Sequence, residues 1–183
     1  RFAETIVELS KGELFENIES NNLSLTKEKY YEKTYLKTAS LFKTSSFSGS
    51  VIGNGSDEDI KNISDFGFHF GMAYQIQDDI LDITSSKNKE GKPVFNDLSE
   101  GVITLPIILY LESEKYSNEI IKKFSIKEKE DLLKEIISSN SIEKSKEIVN
   151  FHYEKGLKSL FSIPESKYRD ILESIIRISK DRI

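Results

Sequence analysis

An all-α fold is predicted by three observations. Apolar residues recur at helical spacing along nearly the whole chain. Ser56, Ser125, Asn140 and Ser162 are each followed three positions later by Asp or Glu, as in a helix capping box. No stretch alternates convincingly as a strand would; the most β-prone run, Val102-Ile103-Thr104, is short and meets Pro106, which has no N–H to give a sheet.

The elements follow in order. Phe2, Ile6, Leu9 and Leu14 predict an opening amphipathic helix, and Thr26 caps a second that runs through Tyr30, Leu36 and Leu41. Gly49, Gly53 and Gly55 then break the pattern. Ser56 with Asp59 opens a long helix expected to end near Thr84. Residues 85–99, rich in Lys, Asn, Gly and Ser and containing Pro93, read as a surface loop. Downstream, Ser125 with Glu128, Asn140 with Glu143 and Ser162 with Glu165 each precede apolar residues at helical spacing, so the C-terminal half is expected to be helical too.

With 183 residues, 37% hydrophobic and 31% charged, the chain is expected to form one globular domain. A net charge of −5 argues against a general nucleic-acid surface, so an anionic ligand must be met by local cations. The absence of cysteine excludes disulfides, thiolate catalysis and cysteine-held metals; it fits a reducing compartment, and a cytoplasmic location is expected. No apolar run has the length of a membrane span. The helical pattern is already under way at Arg1, so the chain is expected to begin inside a larger protein.

The chemistry concentrates in Gln75-Ile76-Gln77-Asp78-Asp79-Ile80-Leu81-Asp82, three carboxylates within five positions of an apolar helix. At about 100° per residue, Gln75, Asp78, Asp79 and Asp82 are expected to share one face. Anions so close either sit in water or hold metal, because otherwise they raise one another's pKa values. Magnesium joins a few carboxylates to phosphate oxygens, and Asp78 and Asp82, one turn apart, suit it. Asp79 has two open roles, ligand of a second ion or acceptor from metal-bound water. Nearby Lys87, Lys89, Gly91-Lys92 and Asn96-Asp97 add ammonium groups and another carboxylate, a combination that favours a polyanion. Lys37-Thr38 is a second candidate contact. His69 and His152 have no partner at ligand spacing in the sequence and are read as structural.

From these residues a family resemblance emerges. Phe70-Gly71-Met72-Ala73-Tyr74-Gln75-Ile76-Gln77-Asp78-Asp79-Ile80-Leu81-Asp82 resembles the second aspartate-rich motif of the trans-type polyprenyl diphosphate synthases, nearest to medium- and long-chain members. Gly91-Lys92-Pro93 and the run from Asn96-Asp97 to Leu105-Pro106 resemble the loop and helix start that follow it. Gly12-Glu13 and Tyr35-Leu36-Lys37-Thr38-Ala39 fall upstream in the expected order. Tyr74 departs mildly, standing where the family usually has phenylalanine. Val102 occupies a position that is lysine in some short-chain members.

The resemblance implies an isoprenoid synthase-type helical bundle, of which residues 1–183 are the C-terminal half or slightly more of a single domain, with the motif at 78–82 and an active-site loop at 85–99. It implies a prenyltransferase of isoprenoid biosynthesis that condenses an allylic diphosphate with isopentenyl diphosphate, with Mg2+ as cofactor and a homodimer as the usual assembly. Asp78 and Asp82 would bind the metal, Asp79 and Asp97 would support its waters, and Lys37 and Lys92 would contact the allylic diphosphate. Gln75 and the Thr38 backbone would lie beside the developing cation, with Tyr74 beside the substrate. Phe66, Phe68, Phe70 and Tyr74 could line a channel for the polyprenyl tail, although core packing is expected for most. Lys180 and Arg182 are read as diphosphate contacts or as solvated charge. Nothing resembles the family's first aspartate-rich motif, so these residues alone are expected to be inactive. The alternative is a non-catalytic diphosphate-binding or regulatory subunit of a synthase complex.

Overall fold

The structure, a computed structural model, describes residues 1–85, 96–113 and 129–182. The helices are α1 (Phe2–Ile18), α2 (Lys27–Thr34), a π-helical segment (Tyr35–Ala39), α3 (Ser40–Ile52), α4 (Asp57–Thr84), α5 (Asn96–Ser99), α6 (Leu105–Ser113), α7 (Lys129–Ser138), α8 (Ser141–Phe161) and α9 (Lys167–Lys180). No strand occurs among the described residues, as the sequence predicts.

The long helix α4 organises the bundle. It starts at the capping box read from the sequence: Asp59 N donates to Ser56 Oγ at 3.1 Å, while Ser56 N donates back to the Asp59 carboxylate at 3.3 Å. Its 28 residues span about 42 Å at 1.5 Å per residue and pack chiefly against α3 and α8. Phe66, Phe70, Ala73, Ile76, Ile80 and Ile83 face the core. There they meet α6, whose residues Leu105 to Leu111 are all buried, the mark of an interior helix. Each fully buried Leu or Ile contributes about 1.5–3 kcal/mol of transfer free energy. Pro106 is tolerated because it sits in the first turn, where its missing N–H would have no intrahelical acceptor.

Several expectations need correction. The opening helix forms, but Thr5 and Gly12 face inward while Phe2, Ile6, Val7, Leu14 and Ile18 are 51–79% exposed. Close approach explains the inversion, since a Cβ on Gly12 would lie 2.6 Å from the Lys37 backbone nitrogen. Gly49 does not break α3, which continues to Ile52. The last helix is capped by Ser166, which accepts from Arg169 N at 3.2 Å, and Ser162 instead ends α8. Asn140 precedes α8 without a side-chain capping bond, and the Ser125–Glu128 pair lies outside the described residues. The end of the expected 85–99 loop is helical, as α5.

The turn after α5 is tied to the α1–α2 connection. Asn21 N donates to Gly101 O at 2.8 Å, and Gly101 has φ +84°, with room for no Cβ against Ser20 and Asn21. His69 and His152, distant in sequence, face each other across the α4–α8 contact. Phe66 and Phe70 belong to the core, while Phe68 and Tyr74 are half-buried at its edge.

Candidate active site

The acidic motif does not present one common face. Asp78 is exposed, Asp82 half-buried and Asp79 buried at 3% exposure. Neighbouring positions on a helix diverge by about 100°, so Asp79 turns inward where Asp78 turns out. The inward carboxylate is fully engaged. Tyr30 Oη donates to its Oδ2 at 2.5 Å, and Gln75 Nε2, one turn earlier on α4, donates to its Oδ1 at 2.9 Å. Thr38 Oγ1 then donates to Gln75 Oε1 at 2.8 Å, so one hydrogen-bonded chain joins α2, the π segment and α4. Burial pushes the Asp79 carboxyl up to about 7, against the opposing pull of Tyr30, Gln75 and Lys33.

Lys37 and Thr38 lie within the π segment, a widened turn of the kind that often marks functional sites. Lys37 pairs with Glu16 and, at 3.3 Å, with Glu13. Lys33, almost buried, reaches Glu16 Oε2 at 3.2 Å and lies over the Tyr30 ring. Burial opposes ionisation of Glu16, yet Lys37 and Lys33 hold its carboxyl below the ordinary value. A cavity of about 140 Å³ opens among Lys33, Lys37, Thr38, Gln75, Asp79 and Asp97.

The rim is acidic. Asp82 Oδ1 accepts from Asn96 N at 3.3 Å. Burial raises the Asp82 carboxyl, as do Asp78 and Glu100, against the backbone N–H groups of Asp97 and Asn96. Burial pushes Asp97 up to about 6, with the charges of Asp82, Glu16 and Asp78 adding to the effect and Lys33 opposing it. Beside this rim, Gln77 is fully buried; it accepts from Tyr153 Oη at 2.5 Å and donates to Ser179 O at 2.5 Å. That anchor brings Arg182 over the Tyr74 ring and to 3.6 Å from Asp78. Arg182 is therefore neither free nor remote from the motif, whereas Lys92 lies outside the described residues.

Three residues here escaped the sequence reading. Tyr30 and Lys33 precede Lys37 on the same helix, so helical spacing could have nominated them. Gln77, a polar residue inside an apolar run, carried its own signal. Among the described residues, no three His, Cys, Asp or Glu side chains converge as a metal-ligand group. The donor set of Asp78, Asp82 and Asp97 nevertheless fits a hard divalent cation. It is all oxygen, and a bound cation would offset the burial, and the added repulsion between neighbouring carboxylates, that raise Asp82 and Asp97.

The polyprenyl synthetase family model matches residues 1–140, which include Lys37, Gln75, the acidic motif and Asp97. The chain belongs to the polyprenyl synthetase family. This family member is 31% identical over 183 residues to a prenyl transferase of Cyanophora paradoxa, an alignment covering 99% of this chain and 57% of that protein. It is 34% identical to heptaprenyl diphosphate synthase component 2 of Bacillus subtilis, covering 96% of this chain and 51% of the relative. The crystal structure of heptaprenyl diphosphate synthase from Staphylococcus aureus superposes with a TM-score of 0.91 at 30% identity, over 98% of this chain and 58% of that one. The chain thus spans little more than half the length of these relatives. No described helix is long and apolar enough to cross a membrane.

Proposed function

We propose that the full-length protein is a magnesium-dependent prenyltransferase that condenses an allylic diphosphate with isopentenyl diphosphate into a longer polyprenyl diphosphate. The observation that carries this reading is the meeting of Lys37, Thr38 and Gln75 with the acidic rim around one cavity, in a chain of the polyprenyl synthetase family. Residues 1–183 are the C-terminal part of a single synthase domain, and alone they do not catalyse elongation.

Each group has a task in this reading. Lys37 and Lys92 bind the allylic diphosphate, Lys37 doing so by giving up its exposed partner Glu13. Asp78 and Asp82 would hold magnesium, and Asp97 would support the ion's waters. The bound ion supplies positive charge that stabilises the diphosphate as leaving group. Asp79, fixed by Tyr30, orients Gln75 so that its amide and the Thr38 backbone lie beside the allylic carbon as the C–O bond breaks. The π electrons of isopentenyl diphosphate then form the new C–C bond, and the departing diphosphate takes the proton whose loss restores the alkene. Tyr74 borders the substrate at the mouth.

A homodimer is the proposed assembly, supported by the exposed apolar face of α1. A second reading, one component of a two-chain synthase, is favoured by likeness to a protein named as a component. Incubating the purified full-length protein with an allylic diphosphate, labelled isopentenyl diphosphate and Mg2+ tests the main reading. Lengthened product is expected, and Asp78→Ala should lower turnover on the order of 100-fold. Product formation that ignores this substitution would remove Asp78 from the metal site; product formed only with a second protein present would select the two-component reading.

A further inference from the structure

We propose that Lys33 is a positioning residue for diphosphate binding: it keeps hold of the Glu16 carboxylate when Lys37 leaves that carboxylate for the substrate, so that no uncompensated anion faces the incoming diphosphate. The inference rests on the reading of Lys37 as a contact of the allylic diphosphate.

One carboxylate is shared by two ammonium groups. Glu16 Oε1 accepts from Lys37, and Glu16 Oε2 accepts from Lys33 at 3.2 Å. The two lysines stand one helical turn apart, Lys33 near the end of α2 and Lys37 in the π segment, and all three side chains line the same cavity. Their freedom differs. The Lys37 side chain is 37% exposed, and its second partner, Glu13, is more exposed still, a surface pair that costs little to give up. The Lys33 side chain is 8% exposed. Its ammonium sits 5.7 Å from the centroid of the Tyr30 ring, and Tyr30 is itself pinned by its bond to Asp79. Among the described residues, Lys33 pairs with no carboxylate other than Glu16. Lys37 is therefore able to exchange partners, and Lys33 is not.

Glu16 is held in place as well. It lies one turn after Gly12 on α1, the position whose missing Cβ lets α1 touch the Lys37 backbone, and that close packing keeps the carboxylate beside the cavity. Half-buried there, Glu16 is costly to leave without a partner, and its charge opposes any anion brought to Lys37. Lys33 removes both penalties. Burial opposes ionisation of Glu16, and Lys33 is one of the two lysines that hold the carboxyl below its ordinary value. A lysine suits the task, because its apolar stem packs against an aromatic ring while its charge stays paired.

Steady-state kinetics and calorimetric titration with farnesyl diphosphate, an allylic diphosphate, test this in the full-length protein. Lys33→Met keeps most of the side chain and removes its charge. It should raise KM for the allylic diphosphate about 10-fold, weaken calorimetric binding to the same degree and lower kcat by less than about threefold. Lys33→Arg should restore most of the affinity. Combining Lys33→Met with Glu16→Gln removes both charges and should bring allylic binding back to within about twofold of the unaltered protein. Glu16→Gln alone should bind at least as tightly as the unaltered protein, a result that does not depend on how Lys33→Met folds. A double variant no better than Lys33→Met would make Lys33 a direct diphosphate contact and overturn the assignment, as would weaker binding in Glu16→Gln. Elongation with unchanged allylic binding in Lys33→Met would overturn it too, while leaving the prenyltransferase reading in place; no elongation by the unaltered protein would overturn both.

Discussion

Between Asp57 and Gly71, α4 is fixed by a terminal cap and by backbone contact with its neighbours, whereas from Tyr74 to Asp82 it is fixed by side-chain hydrogen bonds that reach α2, α8 and α9. In the first stretch a Cβ on Gly67 would lie 2.6 Å from Phe42 O, and one on Gly71 would lie 2.7 Å from Ala39 Cα. In the second, buried Gln77 and Asp79 collect Tyr30, Gln75, Tyr153 and Ser179 O. The difference separates two jobs within one helix. Close packing sets where α4 lies and tolerates no added atoms, while the polar half sets how individual side chains point and tolerates no lost partners.

Substitutions can break this division from either side. Tyr30→Phe removes one hydroxyl from the polar half and should have the larger effect: a turnover loss of about tenfold in the full-length protein, with a stability cost of about 1–3 kcal/mol, because Asp79 keeps its burial and loses a donor. Steady-state rates and urea unfolding would check both figures. Gly67→Ala attacks the packed half and should cost about 1–3 kcal/mol while leaving the turnover of the folded fraction unchanged; lost turnover with full stability would erase the distinction.

The pH dependence probes the packed half through His152. Its folded value of about 4 lies below the ordinary 6.5, so the unfolded chain binds the extra proton first. Its stabilising contribution is present above pH 6.5 and is lost as pH falls toward 4; Tm should drop across that window more steeply in the unaltered protein than in His152→Phe. The smallest effect belongs to Ser56→Ala, which removes the capping box. It should cost about 1 kcal/mol and spare the acidic rim, as chemical denaturation with an activity assay would report.

What the sequence made legible follows the same division between local and distant. The Ser56–Asp59 cap and the end of α4 at Thr84 were readable because capping and periodicity act within a turn or two. The acidic motif was readable as a string, but its split into an outward Asp78 and an inward Asp79 depends on Tyr30, 49 residues upstream. The His69–His152 pair is likewise joined only by the fold, across 83 residues. The capping-box pattern favours Ser162, with Glu165 three residues on, over the actual cap Ser166, which is followed three residues later by arginine. For α1 the apolar periodicity was real and pointed outward, since small residues rather than large ones permit its close approach to Lys37.

The π-helical segment carries a consequence for insertions and deletions. Tyr30 and Thr38 are eight residues apart, and on an unbroken α-helix they would diverge by about 80°. Both instead meet the same Asp79–Gln75 pair, because the wider turn at Tyr35–Ala39 absorbs surplus residue without advancing the helix by a full α-helical step. Removing one residue there would restore a regular helix and swing Tyr30 and Thr38 out of phase, so that one of the two contacts fails. That segment therefore has to keep its length as well as its Lys37 and Thr38 side chains.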